Sequence, residues 1–177
     1  MRSFKAVKSP VELVGVKVLV HSRPMIDRLF QKGFGERKDR VLVLDLNEAL
    51  FLTERGKFKA FRAGKPVSEA ALRLLGQQTD THFYKKFVVY TDFREKGFVI
   101  RTGFKFGFDF RVYPRGKKPG EAHSEFVVEV KSQSEKVSMP HLSRMVRMSQ
   151  TLHTQCLVAV VDSENEVNYY SASRVVL

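Results

Sequence analysis

The chain has 177 residues, 43% of them hydrophobic, and carries 31 Lys+Arg against 19 Asp+Glu for a net charge of +12. That is room for one ordinary domain or two small ones with a core. Its single cysteine, Cys156, excludes an internal disulfide and a cysteine-based zinc site, and no apolar run is long enough to span a bilayer. With a pI of about 10.0 the protein is expected to meet a polyanion. The opening MRSFKAVKSP has no apolar export signal, so a cytoplasmic location is expected.

Val14–Val20 reads as a short strand closed by Ser22-Arg23-Pro24, where Pro24 suits the first turn of a helix and Ser22 its cap. Gly33 and Gly35 end that helix, and Val41–Leu44 is a compact strand. Asp45 or Asn47 can cap a second helix that runs to Gly56. Phe58–Phe61 looks like a strand turning at Gly64, and Ser68 caps a third helix carrying Ala71, Leu72 and Leu75. Around Gly76–Asp80 the apolar pattern lapses, which places a domain boundary there, with residues 1–80 and 81–177 as the two domains. A helix over His82–Lys96, carrying Phe83, Phe87, Val88 and Tyr90, ends at Gly97. Strands over Phe98–Arg101, Phe104–Tyr113 and Ser124–Val130 follow. In the second, Phe104, Phe106, Phe108 and Phe110 alternate with Lys105, Gly107, Asp109 and Arg111, a period of two with one apolar face. Pro140–His153 is helical, with Leu142, Met145, Val146 and Leu152 inward. Cys156–Val161 and Val167–Tyr170 then form a hairpin across the acidic turn Asp162–Glu166. The second half is α-β-β-β-α-β-β.

Strand ends are where a rigid sheet holds polar groups at fixed separation yet open to substrate. Tyr113 ends one strand and His123 begins the next, with the cationic connector Arg115-Gly116-Lys117-Lys118 between them. A phenol and an imidazole so placed can accept and donate protons at a phosphodiester. A second constellation competes: Asp109, then Glu129 and Lys131 on one strand face, repeats the D…(E/D)-x-K pattern of metal-dependent nucleases. His21, His82, His141 and His153 show no metal-ligand spacing. The acidic turn is a solvated hairpin turn or a plug for a basic groove on another subunit. A plain RNA-binding module is a further alternative.

The run GFVIRTGFKFGFDFRVYPRG, then HSEFVVEV, then RMVRMSQTLHTQCLVAVVDSENEVNYY resembles the C-terminal domain of archaeal tRNA-splicing endonucleases. LNEALFLTERGKFKAF is similar to the helix and strand of that family's N-terminal domain. The resemblance implies a restriction-nuclease-like C-terminal domain, a mixed sheet flanked by helices in an α/β protein of two small domains. It implies metal- and cofactor-independent cleavage of precursor tRNA at a bulge–helix–bulge, giving 2′,3′-cyclic phosphate and 5′-hydroxyl ends. Tyr113 would take the 2′-hydroxyl proton, His123 would protonate the leaving 5′-oxygen, and Arg147 would help clamp a bulge base. The family's lysine position holds Thr154, between His153 and Gln155, and Phe108 stands where the family commonly has alanine. An uncharged residue at a site that stabilises a dianionic transition state implies the structural role: a heterotetramer with a lysine-bearing catalytic subunit. There Asp162, Glu164 and Glu166 would enter a neighbour's groove and a C-terminal strand Arg174–Leu177 would help form the dimer. The alternative is a self-sufficient catalytic subunit, in a homo-oligomer, with His153 or a nearby Lys or Arg replacing the lysine.

Overall fold

The computed structural model describes residues 9–175, and these divide into two compact units between Phe83 and Tyr84. In the first unit, β1 (Val11–Val14) and β2 (Lys17–Val20) form a hairpin. The stretch expected to be one strand is broken at Gly15, whose φ of +57° turns the chain. Helix α1 (Arg23–Gln31) has Pro24 in its first turn, and Ser22 fills the cap position without a side-chain cap bond. A three-residue strand β3 (Glu36–Lys38), with none of the apolar residues that signal a strand, precedes β4 (Val41–Leu44). Helix α2 (Leu46–Glu54) is held by a reciprocal capping box between Asp45 and Glu48. The short hairpin β5 (Phe61–Arg62) and β6 (Lys65–Pro66) leads to α3 (Glu69–Thr79), capped by the Ser68 side chain on the Ala71 N–H. Residues 76–79, polar enough to suggest a linker, are the last turn of α3; Gly76 is buried because the Phe83 ring lies where a Cβ would be. The strands make one six-stranded sheet in the order β3-β4-β2-β1-β5-β6, with Val18, Val20, Leu42, Leu44 and Leu50 fully buried.

The second unit begins with α4 (Phe83–Glu95), followed by β7 (Val99–Thr102), β8 (Phe110–Tyr113), β9 (Phe126–Ser132), α5 (Met139–Thr151), β10 (Gln155–Val161) and β11 (Val167–Ala172). The sheet order is β11-β10-β9-β8-β7, antiparallel throughout except for the parallel pair β9–β10. A parallel pair needs a crossover, and α5 is that crossover. One sheet face is covered by α4, through Tyr90 against Phe110 and Phe93 against Phe98 and Tyr169. Val89 is the buried valine of that helix. The other face is covered by α5, whose Met145 and Met148 pack with Phe108, Val127 and Cys156. Both units are thus mixed α/β.

The alternating phenylalanines do not form the long strand expected of them. Phe104–Phe106 is a 3-10 turn ended by Gly107 at φ +73°, and the strand begins only at Phe110. The bend sends the rings to different places: Phe104 is 89% exposed, Phe106 and Phe108 pack on the α5 side, and Phe110 faces α4. The C-terminal strand expected over Arg174–Leu177 is likewise absent where described. Ser173–Val175 is irregular, and Val176 and Leu177 lie outside the described residues. Among the described residues no helix is long and apolar enough to cross a membrane.

Candidate functional site

Strand direction decides which residues can meet. β8 and β9 are antiparallel, with Val112 opposite Phe126, and β9 and β10 are parallel, with Phe126 beside Gln155. The end of β8, the start of β9 and the start of β10 therefore lie at one end of the sheet. Backbone bonds from the Glu125 N–H to the Val112 carbonyl (2.8 Å) and from the Gln155 N–H to the Glu125 carbonyl (3.1 Å) fasten the three together. That end carries Tyr113, His123 and Thr154.

Alternation adds a shared face. Val127 and Cys156 face α5, so Arg111, opposite Val127, and Tyr113, two residues on, face it as well. Tyr113 is 5% exposed, and its hydroxyl has no hydrogen-bond partner among the described residues. His123 is exposed, in the non-strand segment just before β9, and is likewise without a partner there. Thr154, half-buried, donates its backbone N–H to the Ser149 carbonyl at 3.0 Å, and its Oγ1 reaches the same oxygen at 3.4 Å. His153, just before it, is exposed at φ +52°, ending α5 in a left-handed turn. Phe108 is buried in the core under α5.

A cation stands beside Tyr113 that was not among the expected site residues. The Arg111 guanidinium lies 4.4 Å from the Phe106 ring centre and 5.5 Å from that of Tyr113. It also donates to the buried Ser124 hydroxyl, from Nη2 at 3.3 Å and Nε at 3.4 Å. Arg111 thus links the β8 end to the residue after His123. The signal was present: positions i and i+2 of a strand share a face, so an arginine two before the tyrosine had to stand beside it.

The other expected residues lie apart from these three, with the acidic turn at the opposite end of β10. Arg147 is exposed on α5. Arg115 stacks on Phe98 at 5.1 Å, Lys117 is exposed, and Lys118 pairs with Glu121 at 3.2 Å. In the acidic turn the Asp162 carboxylate accepts the N–H groups of Glu164 and Glu166 at 2.8 and 2.9 Å, so it builds the turn. Glu164 and Glu166 themselves are exposed.

Asp109 and Glu129 are not brought together. Asp109 points to the α4 side, where Lys86 meets it at 2.7 Å, and it also accepts the Val130 N–H at 2.7 Å. Glu129 points to the α5 side, held by His141 at 2.9 Å and Lys131 at 3.3 Å. Burial works against the Lys131 charge, but the hydrogen bond to Glu135 and the charges of Glu129 and Glu135 outweigh it and raise the pKa. Lys131 is therefore a fixed cation and no general base. Among the described residues no cluster of three or more His, Cys, Asp or Glu is placed to hold a metal ion.

Residues 9–73 match the family model described as tRNA intron endonuclease, N-terminal domain, and residues 83–169 match tRNA intron endonuclease, catalytic C-terminal domain. The chain is 36% identical over 155 residues to a tRNA-splicing endonuclease of Methanothermobacter thermautotrophicus, covering 86% of this chain and 89% of that protein. A tRNA-splicing endonuclease of Thermococcus onnurineus is 35% identical over 167 residues, covering 93% and 96%. One from Methanosarcina mazei is 33% identical over 160 residues, which are 90% of this chain and 44% of that longer protein.

Proposed function

Because the chain belongs to the tRNA intron endonuclease family, we propose that it is a subunit of a tRNA-splicing endonuclease. In this reading the assembly excises introns from precursor tRNA at bulge–helix–bulge sites without a metal. The observation that carries the reading is the meeting of Tyr113, His123 and position 154 at one end of one sheet. In the chemistry this end suits, Tyr113 takes the proton of a 2′-hydroxyl and the 2′-oxygen attacks the adjacent phosphorus. The bond to the 5′-oxygen breaks, His123 gives that oxygen its proton, and a 2′,3′-cyclic phosphate and a 5′-hydroxyl result. Arg147, Arg115, Lys117 and Lys118 are the cations we assign to the RNA. The mixed sheet with its α5 crossover supports a restriction-nuclease-like second domain.

Within the assembly we assign this chain the structural role, in a heterotetramer with a lysine-bearing catalytic subunit. Thr154 has no charge to set against a phosphorane, and losing one such group costs about 10²–10³ in rate. Asp162 shapes the acidic turn so that Glu164 and Glu166 project, which suits docking on a basic groove of the partner. The test is cleavage of a bulge–helix–bulge RNA by the purified chain alone in EDTA, with product ends analysed. The expected result is RNA binding without cleavage, and cyclic-phosphate ends when the catalytic subunit is added.

One observation favours a second reading, a chain that cleaves by itself. Arg111 stands beside Tyr113 and is always charged, so it is a candidate for the missing cation. Cleavage by the chain alone, lost in Arg111→Met and partly kept in Arg111→Lys, would establish this reading and overturn the structural one.

A further inference from the structure

We propose that residues 57–65 of the first unit form a second RNA-contacting surface, binding the phosphate backbone of the precursor. The inference rests on reading the chain as an RNA-processing subunit. No Asp or Glu stands between Arg55 and Ser68, whereas Lys57, Lys59, Arg62 and Lys65 all do. All four are exposed, and none is paired with a carboxylate among the described residues. Some other cations of the folded units do have carboxylate partners: Arg73 with Glu54, Lys86 with Asp109, Lys131 with Glu129 and Glu135.

The local fold presents these charges deliberately. Phe58 and Ala60 are buried, so Lys57 and Lys59 between and beside them turn outward. Alternate residues of an extended chain rise about 6–7 Å, a spacing that lets successive cations meet successive phosphates. Ala63 and Gly64, at φ +48° and +77°, make the two-residue turn that sets Arg62 directly opposite Lys65. Like charges directly opposed across a ladder destabilise it, and a bridging anion reverses that effect. The nearest acid in register, Glu12, lies opposite Phe61 and is engaged with His21 at 3.6 Å. β6 is a sheet edge, and a charge there also deters edge-to-edge pairing. Edge protection accounts for one lysine, not for four cations of one sign along nine residues.

The experiment measures binding of a fluorescent bulge–helix–bulge RNA by the full chain between 50 and about 300 mM salt, against Lys57→Gln/Lys59→Gln/Arg62→Gln/Lys65→Gln. Each phosphate neutralised contributes about 0.7–0.9 to the slope of log K on log salt. The slope is expected to shallow by about 2–3, with affinity about 10²–10³-fold lower near 0.1 M salt. The Lys57→Arg/Lys59→Arg variant keeps the charge and should bind as the parent does. An unchanged slope and affinity in a folded quadruple variant, with the parent binding RNA, overturns this inference alone. Should the quadruple variant not fold, Arg62→Gln/Lys65→Gln must show about half the slope change, and no change overturns the inference. A parent chain with no RNA affinity overturns the functional reading and this surface together.

Discussion

Replacing Thr154 by Lys returns an ammonium to the sheet end that carries Tyr113 and His123. The position is permissive. The bond from the Thr154 N–H to the Ser149 carbonyl at 3.0 Å survives any side chain, while the Oγ1 contact to the same oxygen is long at 3.4 Å. Losing that contact costs under about 1 kcal/mol. The site is half-buried, so a lysine stem can lie on apolar surface with its head toward solvent. A unit charge about 4 Å from the charge developing on a phosphorane is worth about 4 kcal/mol at an effective dielectric near 20. At about 1.4 kcal/mol per decade that is about 10³ in rate, consistent with the 10²–10³ typically lost when one such donor is removed. The assay is single-turnover cleavage of end-labelled bulge–helix–bulge RNA in EDTA. Thr154→Lys should rise about 10²–10³-fold above the parent's background, with cyclic-phosphate ends, and the gain should vanish when Tyr113→Phe or His123→Ala is added. A folded Thr154→Lys variant that binds RNA like the parent yet cleaves no faster would refute the argument that the missing cation separates this chain from catalysis.

Glu48 is a buried carboxylate whose Oε1 and Oε2 accept the N–H groups of Gly35 and Asp45 at 2.8 and 3.0 Å. Glu48→Ala strands both donors and should cost about 2–5 kcal/mol, read as a lower urea midpoint with an unchanged m-value. Ala63 holds φ +48° in the β5–β6 turn; Ala63→Gly relieves it and should raise stability by about 0.5–1 kcal/mol, seen as a higher Tm. Burial, with a smaller contribution from the Glu129 charge, pushes the Cys156 thiol from 9.0 up to about 11. Because the folded value is the higher, that stability is full below pH 9 and is lost as pH climbs toward 11, worth about 2–3 kcal/mol. Urea titrations at pH 8, 9, 10 and 11 should show the decline, and Cys156→Val should lessen it between pH 9 and 10. Above pH 10 the Tyr169 phenol, also pushed up by burial and its bond to Asp92, adds a decline of the same sign. An equal slope below pH 10 in the variant would exclude the thiol as its source.

The helices were legible because their signals are local. Ser68 before an apolar repeat, Asp45 three before Glu48, and Gly97 after the long repeat each act through neighbouring backbone, so the caps appear where sequence puts them. The strand pattern at Phe104–Phe110 misled because period two is also produced by residues that share no strand. Gly107 in the left-handed region bends the chain, and the rings divide between two faces and solvent. β3 left no trace, since Glu36, Arg37 and Lys38 are exposed and the strand exists only through its pairing with β4. At the candidate site, Tyr113 was legible as a strand end and His123 as a residue shortly before the next strand. That position 154 joins them depends on β9 and β10 being parallel, a non-local fact of the α5 crossover. The separation of Asp109 from Glu129 was equally hidden, because the bend before β8 decides which helix each carboxylate faces.

Tyr113 and His123 do not carry equal weight in deciding what this chain does. Tyr113 is buried at the end of β8, with Val99 opposite it in register and Arg111 over its ring. Its presence is explained by packing whether or not it ever meets a 2′-hydroxyl, and Tyr113→Ala confounds catalysis with stability. His123 has no such duty: it is exposed and has no partner among the described residues. His123→Ala should therefore leave the Tm within about 2 °C of the parent, since surface substitutions away from specific contacts fall within about 0.5 kcal/mol. Any effect on cleavage is then an effect on chemistry. In the assembly reconstituted with a lysine-bearing subunit, the structural role requires an unchanged rate at every splice site. A fall of about 10²–10⁴, at unchanged Tm and RNA affinity, would make His123 a working acid and this chain a catalytic subunit.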